Sequence, residues 1–182
     1  RDEMGLLASA SETAKRAERA QPDAEVIMVP AFTGMGAPYW SPHARAAVFG
    51  MTRSTGPDEL ARAALEGVVY QTHDLLQAIE ADGLTTERLS VDGGMAANDW
   101  FVQRLADIAG VEVERPKVLE TTALGAAYLA FLQAGHFSSM KDVASRQAKD
   151  RHFTPGMEDD ERQKRLGLWR RCVDAVLAVA GR

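Results

Sequence analysis

The residues best suited to chemistry lie in one short stretch, VDGGMAAND, Val91 to Asp99. Two adjacent glycines stand there where a strand stops and a helix begins. The open N-terminus of a helix offers unpaired backbone N–H groups and a partial positive charge, both suited to phosphate. Glycine carries no Cβ, so it permits a positive φ and lets a ligand lie against bare main chain. Asn98 and Asp99 fall in the cap or first turn of the helix, where their side chains can face the same ligand. The same residues also fit a tight strand-to-helix turn that binds nothing. No GxGxxG follows the strand, and no GxxxxGK[ST] occurs in the chain. Thr33-Gly34-Met35-Gly36 runs into Ala37-Pro38 and not into a helix, so it is no phosphate loop. Taken alone, these residues reach an α/β domain with a candidate nucleotide corner.

A chain of 182 residues with 46% hydrophobic content is enough for one sizeable core around this corner. A formal charge of −5 argues against a nucleic-acid partner, which calls for a basic face. The single cysteine, Cys172, excludes an intramolecular disulfide and fits a reduced, cytoplasmic setting; its expected role is that of a small buried hydrophobe on a helix. His43, His73, His136 and His152 lie far apart, so no metal site is expected from them. The longest uncharged apolar stretch, Ala123 to Leu132, is too short to span a bilayer, which takes about 20 residues. The N-terminus lacks a signal-like segment and begins with Arg, which suggests a piece of a longer chain.

The elements follow from periodicity. A helix is expected over Arg1 to about Arg19, with Leu6, Leu7 and Ala10 on one side, ended by Gln21-Pro22. Glu25 to Phe32 and Ala46 to Met51 read as short strands around an irregular Thr33–Arg45 segment. Asp58 to Asp82 is the clearest helix. Leu60, Ala64, Val68, Leu75 and Ile79 recur on one expected inner face, with Arg62, Glu66 and His73 opposite and in solvent. Gly83 stands at its C-terminal cap. Arg88 to Asp92 is a strand, Asn98 to Ala109 a helix with Phe101, Leu105 and Ile108 inward, and Val111 to Val113 a strand stopped by Pro116. Thr122 to Ala134 is helical and apolar nearly all round, which belongs in an interior. Ser139 with Asp142 resembles a capping box, and a last helix from about Glu158 carries Leu166, Trp169, Val173 and Val176 on one face. The alternation of strand and helix predicts parallel crossover units in an α/β sheet, with peripheral helices at the C-terminal end.

Three blocks carry a resemblance. They are VPAFTGMGAPYWSPHARAAVFGMTR (29–53), DELARAALEGVVYQTHDLL (58–76) and LSVDGGMAANDWFVQRLADIAGVEVERP (89–116) followed by ETTALGAAYLA. Together they resemble the carboxyl-terminal region of the FGGY family of carbohydrate kinases, and PAFTGMGAPYW resembles its glycerol kinases. The resemblance implies a ribonuclease-H-like domain of the actin and hexokinase type. Residues 1–137 would form part of the nucleotide-binding domain, and 138–182 a helical extension of it. ATP or ADP would contact Gly94 and Asn98, with Gly93 shaping the turn. The reaction implied is transfer of phosphate from ATP, with Mg²⁺, to glycerol, giving sn-glycerol 3-phosphate. The catalytic aspartate, the glycerol contacts, the Mg²⁺ ligands and three opening strands would precede Arg1, so neither catalytic nor metal residues are expected in this chain. The family implies a cytoplasmic homo-oligomer. The competing readings are a xylulose or gluconate kinase of the same family, or a non-catalytic actin-like module. The family often has Asp where Ser41 stands, a departure of no consequence for nucleotide binding. Tyr39 and Trp40 are expected to pack their segment onto the domain or line a subunit contact.

Overall fold

The computed structural model of the chain describes residues 5–145 and 149–181. Helix α1 spans Thr13–Arg19, after a 3₁₀ turn at Ala10–Glu12. It is shorter than expected. Gly5 has a φ of +62° and Ser9 is extended at −144°, so Leu6 and Leu7 precede the helix instead of lying on it. Arg1 to Met4 lie outside the described residues.

Strands β1 (Ile27–Val29) and β2 (Ala47–Phe49) pair antiparallel, Met28 opposite Val48. Between them the chain is irregular, as its glycines and prolines require. Helix α2 (Pro57–Ala81) opens with Pro at its first position, and Glu59 Oε2 accepts from the Gly56 N–H at 2.8 Å.

The expected faces of α2 are reversed. Arg62, Glu66 and His73 are buried, Leu75 is exposed, and Leu60, Ala64, Val68 and Ile79 are only half-buried. The reason is partnership across elements. Glu66 Oε1 takes the guanidiniums of Arg62 and Arg104, each at 3.2 Å, so these charges enter the interior together. Small residues on that side, Ala61, Ala63 and Gly67, let α2 lie close on α1, α3 and β1. Periodicity of apolar residues sees neither effect.

The second sheet has the order β3-β4-β5, with β3 at Arg88–Ser90, β4 at Glu112–Pro116 and β5 at Lys149–Phe153. Strands β3 and β4 are parallel and joined through α3 (Asp99–Ala109), the expected crossover unit; β5 returns antiparallel on β4. The C-terminal region was therefore more than helices. Helix α4 (Thr121–Gln133) leads to the short α5 (Met140–Ser145), where the Ser139 hydroxyl caps the Asp142 N–H at 3.2 Å. Helix α6 (Asp159–Val179) is not peripheral: Trp169 is fully buried and stacks on Tyr70 of α2 at 5.2 Å. Asp159, Asp160 and Glu161 in its first turn suit the helix dipole, while Arg170-Arg171 lie inside the helix, which runs to Val179.

The core runs from β1 through α2 and α3 to α6, around Val29, Val69, Val102, Ile108 and Val173. Cys172 is buried in it, and burial raises its thiol pKa. Helix α4 departs most from expectation. None of its residues is buried, and Leu129 and Phe131 face solvent. An apolar helix is interior only where enough packs on it, and the described residues bring chiefly the short α5 and Phe137 against it. Among them no helix is long and apolar enough to cross a membrane.

Candidate functional site

The glycine corner is built at the carboxyl end of β3. Pairing continues one residue beyond the strand, where Val91 N–H donates to Glu114 O at 3.0 Å. The chain then turns at Gly93, whose φ of +79° favours glycine, and its N–H donates to Leu119 O at 3.0 Å. That bond ties the corner to the loop after β4. A 3₁₀ turn over Gly94–Ala97 follows, with Ala96 buried beneath it and Gly94 exposed above. Asn98 then caps α3: its Oδ1 accepts from the Phe101 N–H at 3.0 Å.

A methyl group at Gly93 or Gly94 would meet nothing within 4 Å, so the space over both residues is open. The corner thus combines bare main chain, an exposed turn and the positive end of α3. The carbonyl of the Asn98 side chain is engaged in the cap, which leaves its amide nitrogen for a ligand. Gly94 and Asn98, expected together, bracket the same turn. Asp99 behaves differently. Its carboxylate is held by Arg115 at 2.6 Å and by Arg151, so it braces the turn against β4 and β5 instead of facing a ligand. Arg115 carries no motif, and the only signal for it was its place on the next parallel strand.

A second concavity, of about 340 Å³, lies between Pro22–Ile27, α2 and α6. Its two cations are already paired, Lys164 with Glu25 at 3.0 Å and Arg165 with Glu161 at 2.7 Å. The Tyr70 phenol at its wall is pushed up to about 12, first by burial and then by Glu66. With both cations engaged, little is left there to grip an anionic ligand. No group of three or more His, Cys, Asp or Glu side chains among the described residues could hold a metal ion.

Comparison with known proteins decides the family. The profile of the FGGY family of carbohydrate kinases, C-terminal domain, matches residues 2–134. The chain belongs to this family. Among curated FGGY relatives, the glycerol kinase of Methylobacterium nodulans is 53% identical over 182 residues, covering 97% of this chain and 36% of its own length. The crystal structure of Plasmodium falciparum glycerol kinase with ADP superposes with a TM-score of 0.84 at 35% identity, covering 94% of this chain and 35% of that one. A ligand-bound xylulose kinase from Lactobacillus acidophilus reaches a TM-score of 0.83 at 24% identity, covering 98% of this chain and 37% of that one, a likeness of fold alone. The α/β architecture is that of the FGGY kinases, an actin- and hexokinase-like ATPase fold. This FGGY chain spans about a third of the length of the relatives it matches, 36% for the first of them.

Proposed function

We propose that the chain is the carboxyl-terminal region of an ATP-dependent glycerol kinase, and that it contributes the Gly94 and Asn98 contacts to the nucleotide. The observation that carries the reading is the 53% identity to a curated glycerol kinase across nearly the whole chain. The segment PAFTGMGAPYW and the likeness to an ADP-bound glycerol kinase support it. A xylulose-kinase reading rests on 24% identity and on fold, which is shared throughout the family.

The chain's own part is binding. The N–H groups of the Gly94 turn and the amide nitrogen of Asn98 hold the nucleotide where α3 presents its positive end. Phosphoryl transfer depends mainly on positioning and on cations around the phosphates. Mg²⁺ would supply such charge in the whole enzyme, and its ligands are assigned to the rest of the whole protein. The catalytic base and the glycerol contacts are likewise assigned to the remainder of the whole protein, which works in the cytoplasm as a homo-oligomer. Residues 138–182 extend the same domain. The burial of Trp169 and Phe153 in the common core supports that assignment.

The test uses the full-length enzyme and the variant N98D. Aspartate caps a helix as well as asparagine does, so unfolding free energy should move by less than about 0.5 kcal/mol. It lacks the amide donor and places a carboxylate beside the ligand's phosphates, so the Kd for ADP should rise about tenfold or more. G94V, which fills the open face, should weaken ADP as well. If calorimetry finds wild-type affinity in both variants, the nucleotide assignment is wrong.

A further inference from the structure

We propose that Arg115 is a positioning residue of the nucleotide corner: it fixes the turn carrying Gly94 and Asn98 against β4 and β5, and thereby sets where that main chain meets the ligand. The inference rests on the reading above that the corner takes an adenine nucleotide. Arg115 lies on β4, with its side chain only 11% exposed. Its Nη1 donates twice, to the Ala96 carbonyl at 2.9 Å and to Asp99 Oδ1 at 2.6 Å. Its Nε and Nη2 both donate to Asp150 Oδ2, at 3.0 and 2.7 Å. The guanidinium also sits over the Phe153 ring, 5.5 Å from its centroid.

The distribution of these bonds matters more than their number. Ala96 lies inside the 3₁₀ turn and is buried, Asp99 is the first residue of α3, and Asp150 belongs to β5. One planar group therefore clamps the turn, the helix start and the edge strand. Arg151, from β5, closes on the second oxygen of Asp99 and lies 4.9 Å from the Phe153 ring centroid. A guanidinium has five N–H donors, and four of these are engaged within the protein. Arg115 is thus poorly placed to grip phosphate itself and well placed to hold what does. Contacts through bare backbone tolerate little displacement, because a main-chain N–H has no rotamer with which to correct its aim.

The experiment measures the Kd for ADP, the KM for ATP and for glycerol, and the melting temperature in the full-length enzyme, for wild type, G94V, R115A and R115K. The expected result for R115A is an ADP Kd and ATP KM raised about tenfold with the KM for glycerol unchanged. R115K should recover only part of the loss, since one ammonium cannot span three acceptors in a plane. Should R115A fail to fold, the same split in R115K carries the proposal. If G94V weakens ADP while both Arg115 variants bind it as wild type does, the positioning role is overturned and the nucleotide corner stands. A loss of glycerol and nucleotide affinity in equal proportion, alongside a lower melting temperature, would mark a merely structural role and also overturn it. If ADP binds neither tighter nor weaker in G94V, the corner itself is misassigned and the proposal falls with it.

Discussion

Asp74 shows how much a single side chain organises here. Its Oδ2 accepts from the Tyr39 hydroxyl at 2.7 Å and from the Trp169 indole N–H at 2.6 Å. Those donors come from the irregular 33–45 segment and from α6, so one carboxylate on α2 joins three parts of the chain. Burial, and then the bond to Asp74, raise the Tyr39 phenol well above its ordinary value. Tyr39 thus packs its segment onto the domain as expected, while its neighbour Trp40 stays 70% exposed. Removing the acceptor strands the buried Trp169 N–H at a cost of about 1–3 kcal/mol and the half-buried Tyr39 hydroxyl at somewhat less. D74A should therefore lower the unfolding free energy of the full-length protein by about 3 kcal/mol in a denaturant titration. D74N, which keeps an acceptor oxygen, should lose about 1 kcal/mol.

At the scale of elements, α2 is the axis. A methyl group at Gly67 would lie 2.5 Å from the Met28 carbonyl of β1 and 3.2 Å from the Pro30 ring. Alanine would bring about 1 kcal/mol of helix propensity, less than the roughly 2–3 kcal/mol that forced overlap with a strand backbone costs. G67A should accordingly destabilise the protein by about 1–2 kcal/mol, read as a lower denaturation midpoint. The start of α2 also titrates. Glu59 accepts from the Gly56 and Gln21 N–H groups at 2.8 and 3.1 Å, and these backbone bonds lower its pKa from the ordinary 4.5. A depressed carboxylate contributes its stability in full above the unfolded-state value and loses it as pH falls through the lowered folded value. Wild type should therefore lose stability below about pH 4.5 more steeply than E59Q, whose amide oxygen can still accept but does not titrate. Equal acid slopes for the two proteins would refute this role for Glu59.

At the scale of the whole molecule, the α4 surface and the free edge of β3 stand out. The sheet order leaves β3 paired only with β4 among the described residues, and α4 has no buried residue. A free edge and an apolar helix face are both surfaces that favour association. They fit the proposal that this chain is about a third of a longer enzyme, as the 36% coverage of its relative indicates. Under that proposal the 182-residue chain, expressed alone, should show no glycerol-dependent ADP release in a coupled assay. Turnover by the isolated chain would contradict the assignment of the catalytic base to the rest of the protein.

The sequence by itself determined what depends on neighbours along the chain. The strand–glycine–helix corner, the Asn98 cap, the Ser139 cap, the left-handed ends at Gly83 and Gly110, and the crossover through α3 all follow from local backbone preference and short-range hydrogen bonding. Its motifs also carried the family. The tertiary structure decided which faces are buried and which charges are paired. Arg62 and Glu66 enter the interior because Arg104 of α3 shares Glu66, and Asp99 turns from a candidate ligand contact into a brace because Arg115 and Arg151 arrive from two other strands. For Glu66 the physical reason is desolvation: a buried charge is tolerable only beside its partners, and while Arg62 lies one helical turn away, Arg104 comes from another helix far along the chain.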